Sequence, residues 1–220
     1  MNIRIDRSTK FVRVAALVIC VPLLGGCVSA AVVGAGAGAL MIVDRRASET
    51  YIADQSMEIR AVSRISEKYG DKVHVNATSY NRMMLLTGEV PTAEIKADVE
   101  KIAAGVTDVK SISNELAIAG PSSFGVRSND SYITSKVKAR FVDAGKFSAN
   151  VVKVVTEAGV VFLLGMVTQA EADAAVDIAR TTGGVLKVVR VFEIISPQQA
   201  AALNRTAAPA QAEAKPAVGK

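Results

Sequence analysis

The side chains of this 220-residue sequence that could do chemistry are its one histidine, its two cysteines and a few closely spaced carboxylates and bases. His74 lies between Val73 and Val75 in an apolar alternation, so a strand directs its imidazole away from the core, to the surface. No serine elbow, C-x-x-C pair, metal-spaced His/Cys cluster or phosphate-binding loop accompanies it. Glu94 and Asp98 are four apart, the spacing of paired carboxylates on one helix face, but an ordinary solvated face accounts for them. The expectation is a protein with no catalytic residues, no metal ligands and no cofactor, and not an enzyme. Tyr132, Lys136, Lys138, Arg140 and Val142 form a different kind of group, an amphipathic ring and an apolar side chain beside three bases. An interfacial surface needs such a set: the ring sits at headgroup depth, and each base near an anionic leaflet contributes about 1 kcal/mol. From the residues alone, a solvated basic helix with a half-buried tyrosine is the simpler account.

Cys27 has the clearest chemical context. Arg4, Arg7, Lys10 and Arg13 make a basic start, residues 14–24 an apolar stretch interrupted by Pro22, and Gly25-Gly26 a small pair before the cysteine. That order predicts a secretory signal peptide over residues 1–26. Leu24-Gly25-Gly26-Cys27 resembles the bacterial lipobox, in which the cysteine thiolate is alkylated by diacylglycerol. A spanning helix fits less well, since the apolar run falls short of the roughly 20 residues a bilayer requires. Cys20 lies in the segment expected to be removed, so the mature chain has no partner for a disulfide. Acyl chains at Cys27, at about 0.8 kcal/mol per buried methylene, would hold the remaining 194 residues on a membrane. Cleavage also lowers the formal charge from +5 to +2, with 22 basic and 20 acidic residues left, which gives no support to nucleic-acid binding.

The elements that must position these residues come from an internal repeat. Gly88-Glu-Val-Pro-Thr-Ala-Glu94 and Gly165-Met-Val-Thr-Gln-Ala-Glu171 match at an offset of 77 residues. Upstream, Asp54 and Asp130 each open a stripe at helical spacing: Met57, Ala61 and Ile65, then Ile133, Val137 and Phe141. Hairpins follow, turning at residues 80–82 and 157–159. Second helices run over 92–104 and 169–181, with Thr92 and Thr168 as N-caps, and last strands over 109–118 and 185–195. Gly88 and Gly165 are structural, placed where strand passes to helix and a small or positive-φ residue is needed. Each copy is an α-β-β-α-β unit with two helices on a three-stranded mixed sheet, an α+β fold. The expected boundaries are a lipidated flexible tether at 27–47, domains at 48–119 and 127–196, a linker at 120–126 and a disordered Ala/Pro/Gln-rich tail at 197–220.

These residues carry a resemblance to the BON domain, present twice. It rests on Asp54 and Asp130, Gly88 and Gly165, the Ala-Glu pair of each second helix, and the Val-x-x-Ile-x-Asn-Glu-Leu pattern of residues 109–116. Residues 27–33, 129–137 and 161–168 are similar to dual-BON outer-membrane lipoproteins in particular. In copy two Arg190 stands where copy one has Asn114, and the charges differ: 8 basic and 11 acidic residues over 48–119, net −3, against 9 basic and 7 acidic over 120–196, net +2. The resemblance implies an acyl anchor at Cys27, with Val28 directing the chain to the outer membrane, facing the periplasm. It also implies binding of anionic phospholipid by the first helix of the second domain, through Tyr132, Lys136, Lys138, Arg140 and Val142, in support of outer-membrane integrity. The alternative it leaves is a protein–protein adaptor for envelope or outer-membrane protein assembly machinery.

Overall fold

The computed structural model describes residues 44–213; the signal segment, Cys27, most of the tether and residues 214–220 lie outside them. The described residues belong to one compact unit. Copy one comprises α1 (Ser48–Tyr69), β1 (His74–Tyr80), β2 (Met83–Val90), α2 (Ala93–Ala104), β3 (Ser111–Asn114) and β4 (Ala117–Ile118). Copy two comprises α3 (Phe124–Ala144), β5 (Lys153–Glu157), β6 (Val160–Val167), α4 (Gln169–Arg180) and β7 (Lys187–Ile194), and α5 (Pro197–Glu213) follows. In each sheet the central strand, β2 or β6, pairs antiparallel with the strand before it and parallel with the strand beyond the helix crossover. The fold is α+β with two mixed sheets, as the repeat predicts.

The aspartate that opens each copy explains how the hairpins close. Asp54, fully buried, accepts hydrogen bonds from Asn81 N and Arg82 N at 2.8 Å each and from Ser79 Oγ at 2.8 Å. Asp130 likewise accepts from Ala158 N at 2.9 Å and Gly159 N at 2.8 Å. Both turns need two consecutive positive φ values, 52° and 67° at Asn81 and Arg82, 48° and 75° at Ala158 and Gly159. Three of those four residues are not glycine, so a conformation that L side chains resist is held by a carboxylate satisfying the turn's free N–H groups.

The two repeat glycines lie inside strands, not at their ends, and differ in why they are small. At Gly88, with φ +111°, a Cβ would stand 2.0 Å from the His74 carbonyl oxygen; at Gly165 one would stand 2.4 Å from that of Val151. Backbone conformation and close approach both select Gly88, whereas Gly165 is selected by close approach.

Alternation along the central strands divides two cores. Met84, Leu86 and Val90 of β2 face Met57, Ala61 and Ile65 of α1 and Val99 and Ala103 of α2. Val161, Leu163 and Val167 of β6 face Ile133, Val137 and Phe141 of α3 and Ala172, Ala175 and Ile178 of α4. The opposite faces do not meet water. Leu85 and Tyr80 of copy one pack on Phe162, Leu164 and Val191 of copy two, so the two sheets stand back to back with the helices outside.

Several expected boundaries shift, each for a local reason. The last strand of copy one, expected over 109–118, breaks into β3 and β4 because Asn114 turns its amide to Lys96 O and Glu100 while its Oδ1 accepts from Leu116 N. Arg190 makes no such bond to the backbone, and β7 runs unbroken. The helix expected from Asp130 begins at Phe124, inside the linker, where Ser123 Oγ accepts from Val126 N at 3.4 Å. The tail expected to be disordered from residue 197 is helical to Glu213. Ser196 and Gln199 exchange hydrogen bonds of 2.9 and 3.2 Å at its start, and Ala200 is buried. The end of the tether is also fixed: buried Arg45 donates to both oxygens of Glu171 at 2.7 and 2.8 Å, to Met166 O at 2.7 Å and to Asn204 at 2.9 Å.

Replacing Asp130 by Ala leaves two turn N–H groups without their acceptor and should cost about 2 kcal/mol in urea unfolding. Arg45→Ala strips a buried partner from Glu171 and should cost about 3 kcal/mol at neutral pH. Burial by itself would raise the Glu171 carboxyl, but the Arg45 guanidinium and the Thr168 hydrogen bonds outweigh it and hold the group below its ordinary value. The pair's contribution is therefore complete above the ordinary carboxylate range and lost as pH falls through the lowered value. The difference between wild type and Arg45→Ala should shrink over that acid window.

Candidate functional site

The first helix of copy two, α3, buries Asp130, Ile133, Val137 and Phe141 and turns its remaining faces outward. The structure divides the five residues that the sequence singles out. Tyr132 is exposed, and the Lys136 amine lies 4.6 Å from its ring centroid, a cation–π contact at i,i+4, while donating to Gly183 O. Lys138 and Val142, also at i,i+4 and exposed, lie roughly 120° round the helix from that pair. They line a shallow pocket with Lys153 and Arg46.

Arg140 is not available as a free surface charge. Its Nη1 donates to Ile178 O at 3.0 Å and Thr182 Oγ1 at 2.8 Å, closing the carbonyl end of α4. The guanidinium is thus a capping group joining α3 to α4. From sequence it counts as one of three bases, because the carbonyl it serves lies 38 residues away.

An apolar tip goes unread in the sequence. Phe124 and Leu186 are 81% and 80% exposed, and Val126 is 40% exposed. Val126 and Leu186 line one open depression with Ala158, Gly159 and Gly184. A signal for Leu186 does exist: it stands two residues after Gly184 of the Gly183-Gly184 pair, which marks a turn just before it, outside the strand. Phe124 carries none, since its exposure depends on α3 starting six residues before Asp130.

His74 is half-buried and does not face open solvent as expected; it points from β1 toward the second sheet. Its Nδ1 lies 2.9 Å from Glu89 Oε2 and 3.9 Å from Glu157 Oε1. Of the paired carboxylates, Asp98 accepts from the Lys68 amine at 2.6 Å and the Tyr69 hydroxyl at 2.5 Å, tying α2 to α1. It is a fastener between helices.

Among the described residues no helix is long and apolar enough to cross a membrane. The BON domain model matches twice, over residues 60–120 and 129–196. The chain is 39% identical over 174 residues to the outer membrane lipoprotein DolP of Haemophilus influenzae, covering 78% of this chain and 90% of that protein. It is 34% identical over 155 residues to a 21 kDa hemolysin of Actinobacillus pleuropneumoniae, covering 70% and 80%. It is 31% identical over 117 residues to the osmotically-inducible protein Y of Escherichia coli, covering 52% and 58%. Among solved structures, the type III secretion protein CdsD of Chlamydia trachomatis aligns with a TM-score of 0.28 at 14% identity, over 66% of this chain and 96% of that one, too slight a likeness to carry an argument. Two matched domains covering more than half of the chain, and a relative matched over nearly its full length, lead to one conclusion: the chain belongs to the BON-domain family, as a dual-BON lipoprotein of the outer membrane.

Proposed function

We propose that this lipid-anchored, periplasm-facing protein carries its acyl chains on Cys27 and makes a second contact with the membrane through copy two, which binds anionic phospholipid and so supports outer-membrane integrity. The observation that carries this reading is the grouping on and beside α3 of exposed apolar side chains, Phe124, Tyr132, Val142 and Leu186, with the amines of Lys136 and Lys138. Rings and aliphatic side chains enter the headgroup boundary while the amines meet lipid phosphates. The anchor raises the local concentration of the surface at the bilayer, so weak intrinsic affinity is enough. Arg140 supports the surface by fixing α4 beneath α3.

One observation favours the adaptor reading for copy one. Ile52, Ile59 and Val62 are 64%, 69% and 40% exposed on α1, an apolar stripe on the domain of net negative charge. A protein of the envelope assembly machinery could dock there while copy two holds lipid.

The unlipidated fragment of residues 41–220, one compact unit, should sediment with vesicles containing anionic lipid and not with purely zwitterionic ones. Lys138→Glu combined with Val142→Asp changes two exposed side chains and should weaken that binding by about tenfold or more. Arg140→Ala should instead appear as a lower melting temperature. Unchanged vesicle binding in the double variant would refute the surface, whereas loss of partner capture on Ile59→Asp, with vesicle binding intact, would assign that role to copy one. In cells, Cys27→Ser should move the protein from the membrane to the soluble fraction.

A further inference from the structure

At the rim of the seam between the sheets, three side chains distant in sequence converge. His74 opens β1, Glu89 is its register partner in β2, and Glu157 ends β5 in the other copy. One potential ligand atom from each lies within 4.8 Å of the other two. In a tetrahedral zinc site, with bonds of about 2.0–2.2 Å, ligand atoms lie roughly 3.3 Å apart. The observed separations of 2.9 and 3.9 Å from His74 Nδ1 to the two carboxylates bracket that span.

The carboxylates are held in place rather than mobile. The Glu89 side chain is 6% exposed, and its Oε2 accepts from Ser122 N at 3.1 Å. The Glu157 side chain is 10% exposed, and its Oε2 accepts from Asn76 Nδ2 at 3.0 Å, which leaves Oε1 directed at His74. Among the described residues neither glutamate forms an ion pair with a lysine or arginine. Two buried carboxylates thus share one imidazole, a shortage of positive charge that a divalent cation would cancel. An adjoining pocket of about 340 Å³, lined by Asn76, Arg127, Asp130 and Thr134 among others, opens on the cluster and gives an ion a way in.

We propose that His74, Glu89 and Glu157 bind one divalent cation of the zinc class, and that this ion fastens the two BON domains to each other. The ion takes the place of the hydrogen between Nδ1 and Glu89, the imidazole hydrogen moving to Nε2, and water completes the open side beside Ser122 Oγ, 3.5 Å from Nδ1. One imidazole with two carboxylates is a borderline donor set, which suits zinc better than magnesium or calcium, cations that take six or more oxygens. This inference is independent of the lipid surface on α3.

The test uses the untagged full chain in detergent micelles, titrated with Zn²⁺ and separately with Co²⁺, Mg²⁺ and Ca²⁺. Zn²⁺ should raise the melting temperature saturably, with a dissociation constant well below about 1 mM. Co²⁺ should give a visible absorption band of low-coordinate geometry, and Mg²⁺ and Ca²⁺ should do neither. His74→Gln and Glu157→Gln should each weaken Zn²⁺ binding by at least about tenfold. Glu193→Ala removes an inter-domain hydrogen bond, accepted from Asn81 Nδ2, that does not touch the cluster, and should leave Zn²⁺ affinity unchanged. Absence of saturable binding below about 1 mM, binding that survives His74→Gln, or equal weakening by Glu193→Ala would overturn the proposal.

Discussion

The burial of both faces of β2 and β6 is the constraint on which the rest of this protein depends. Each copy alone would cover one face of its sheet with two helices and leave the other, with Leu85 and Tyr80 or with Phe162 and Leu164, against water. Fully burying one such side chain is worth about 1.5–3 kcal/mol, so exposing the whole set would cost a large share of a small domain's stability. Packing the sheets back to back removes that cost. It also joins the two copies into one unit and leaves the helices that cover each sheet on the outside.

From that arrangement the polar features follow. Around the apolar seam lies a rim of cross-copy bonds: Asn76 to Glu157, Asn81 to Glu193 and Lys153 to Glu58. Residues at the edge of the seam are half out of water, where a charged group keeps its charge only if paired. The rim therefore fixes the register of one copy on the other, and there His74 meets two glutamates. Arg45, at the start of the described residues, binds Glu171 of α4 and Asn204 of α5. The residues that lead into copy one are thereby coupled to copy two.

The same geometry gives the two copies different outer surfaces. Because the sheets occupy the middle, α1 and α3 are the broad outer faces, one on each copy. The copies carry opposite net charge, −3 and +2, and differ in what their first helix exposes: isoleucines and valine on α1, aromatic, aliphatic and basic side chains around α3. The duplicated fold thus carries two chemically unlike outer faces. The exchange of Asn114 for Arg190 is part of this divergence, since the asparagine breaks its strand and the arginine does not.

Local pattern by itself determined the two copies, their element order, the inward stripes of α1 and α3, the threonine caps of the second helices and the need for glycine at 88 and 165. Each is written in the period and residue types of neighbouring positions, which report directly on local geometry. Tertiary structure alone decided what the other faces of the sheets do, because alternation shows that a strand has two faces and not what covers the second. It decided that Arg140 caps α4 and does not stand free, that the tail is a helix docked through Ala200 and Asn204, and that Asp54 and Asp130 hold turns 27 to 29 residues away. His74 is the sharpest case. Its strand placed it opposite the core, as the alternation requires, but Glu157 lies 83 positions further on, and only the docking of one sheet on the other brings them together.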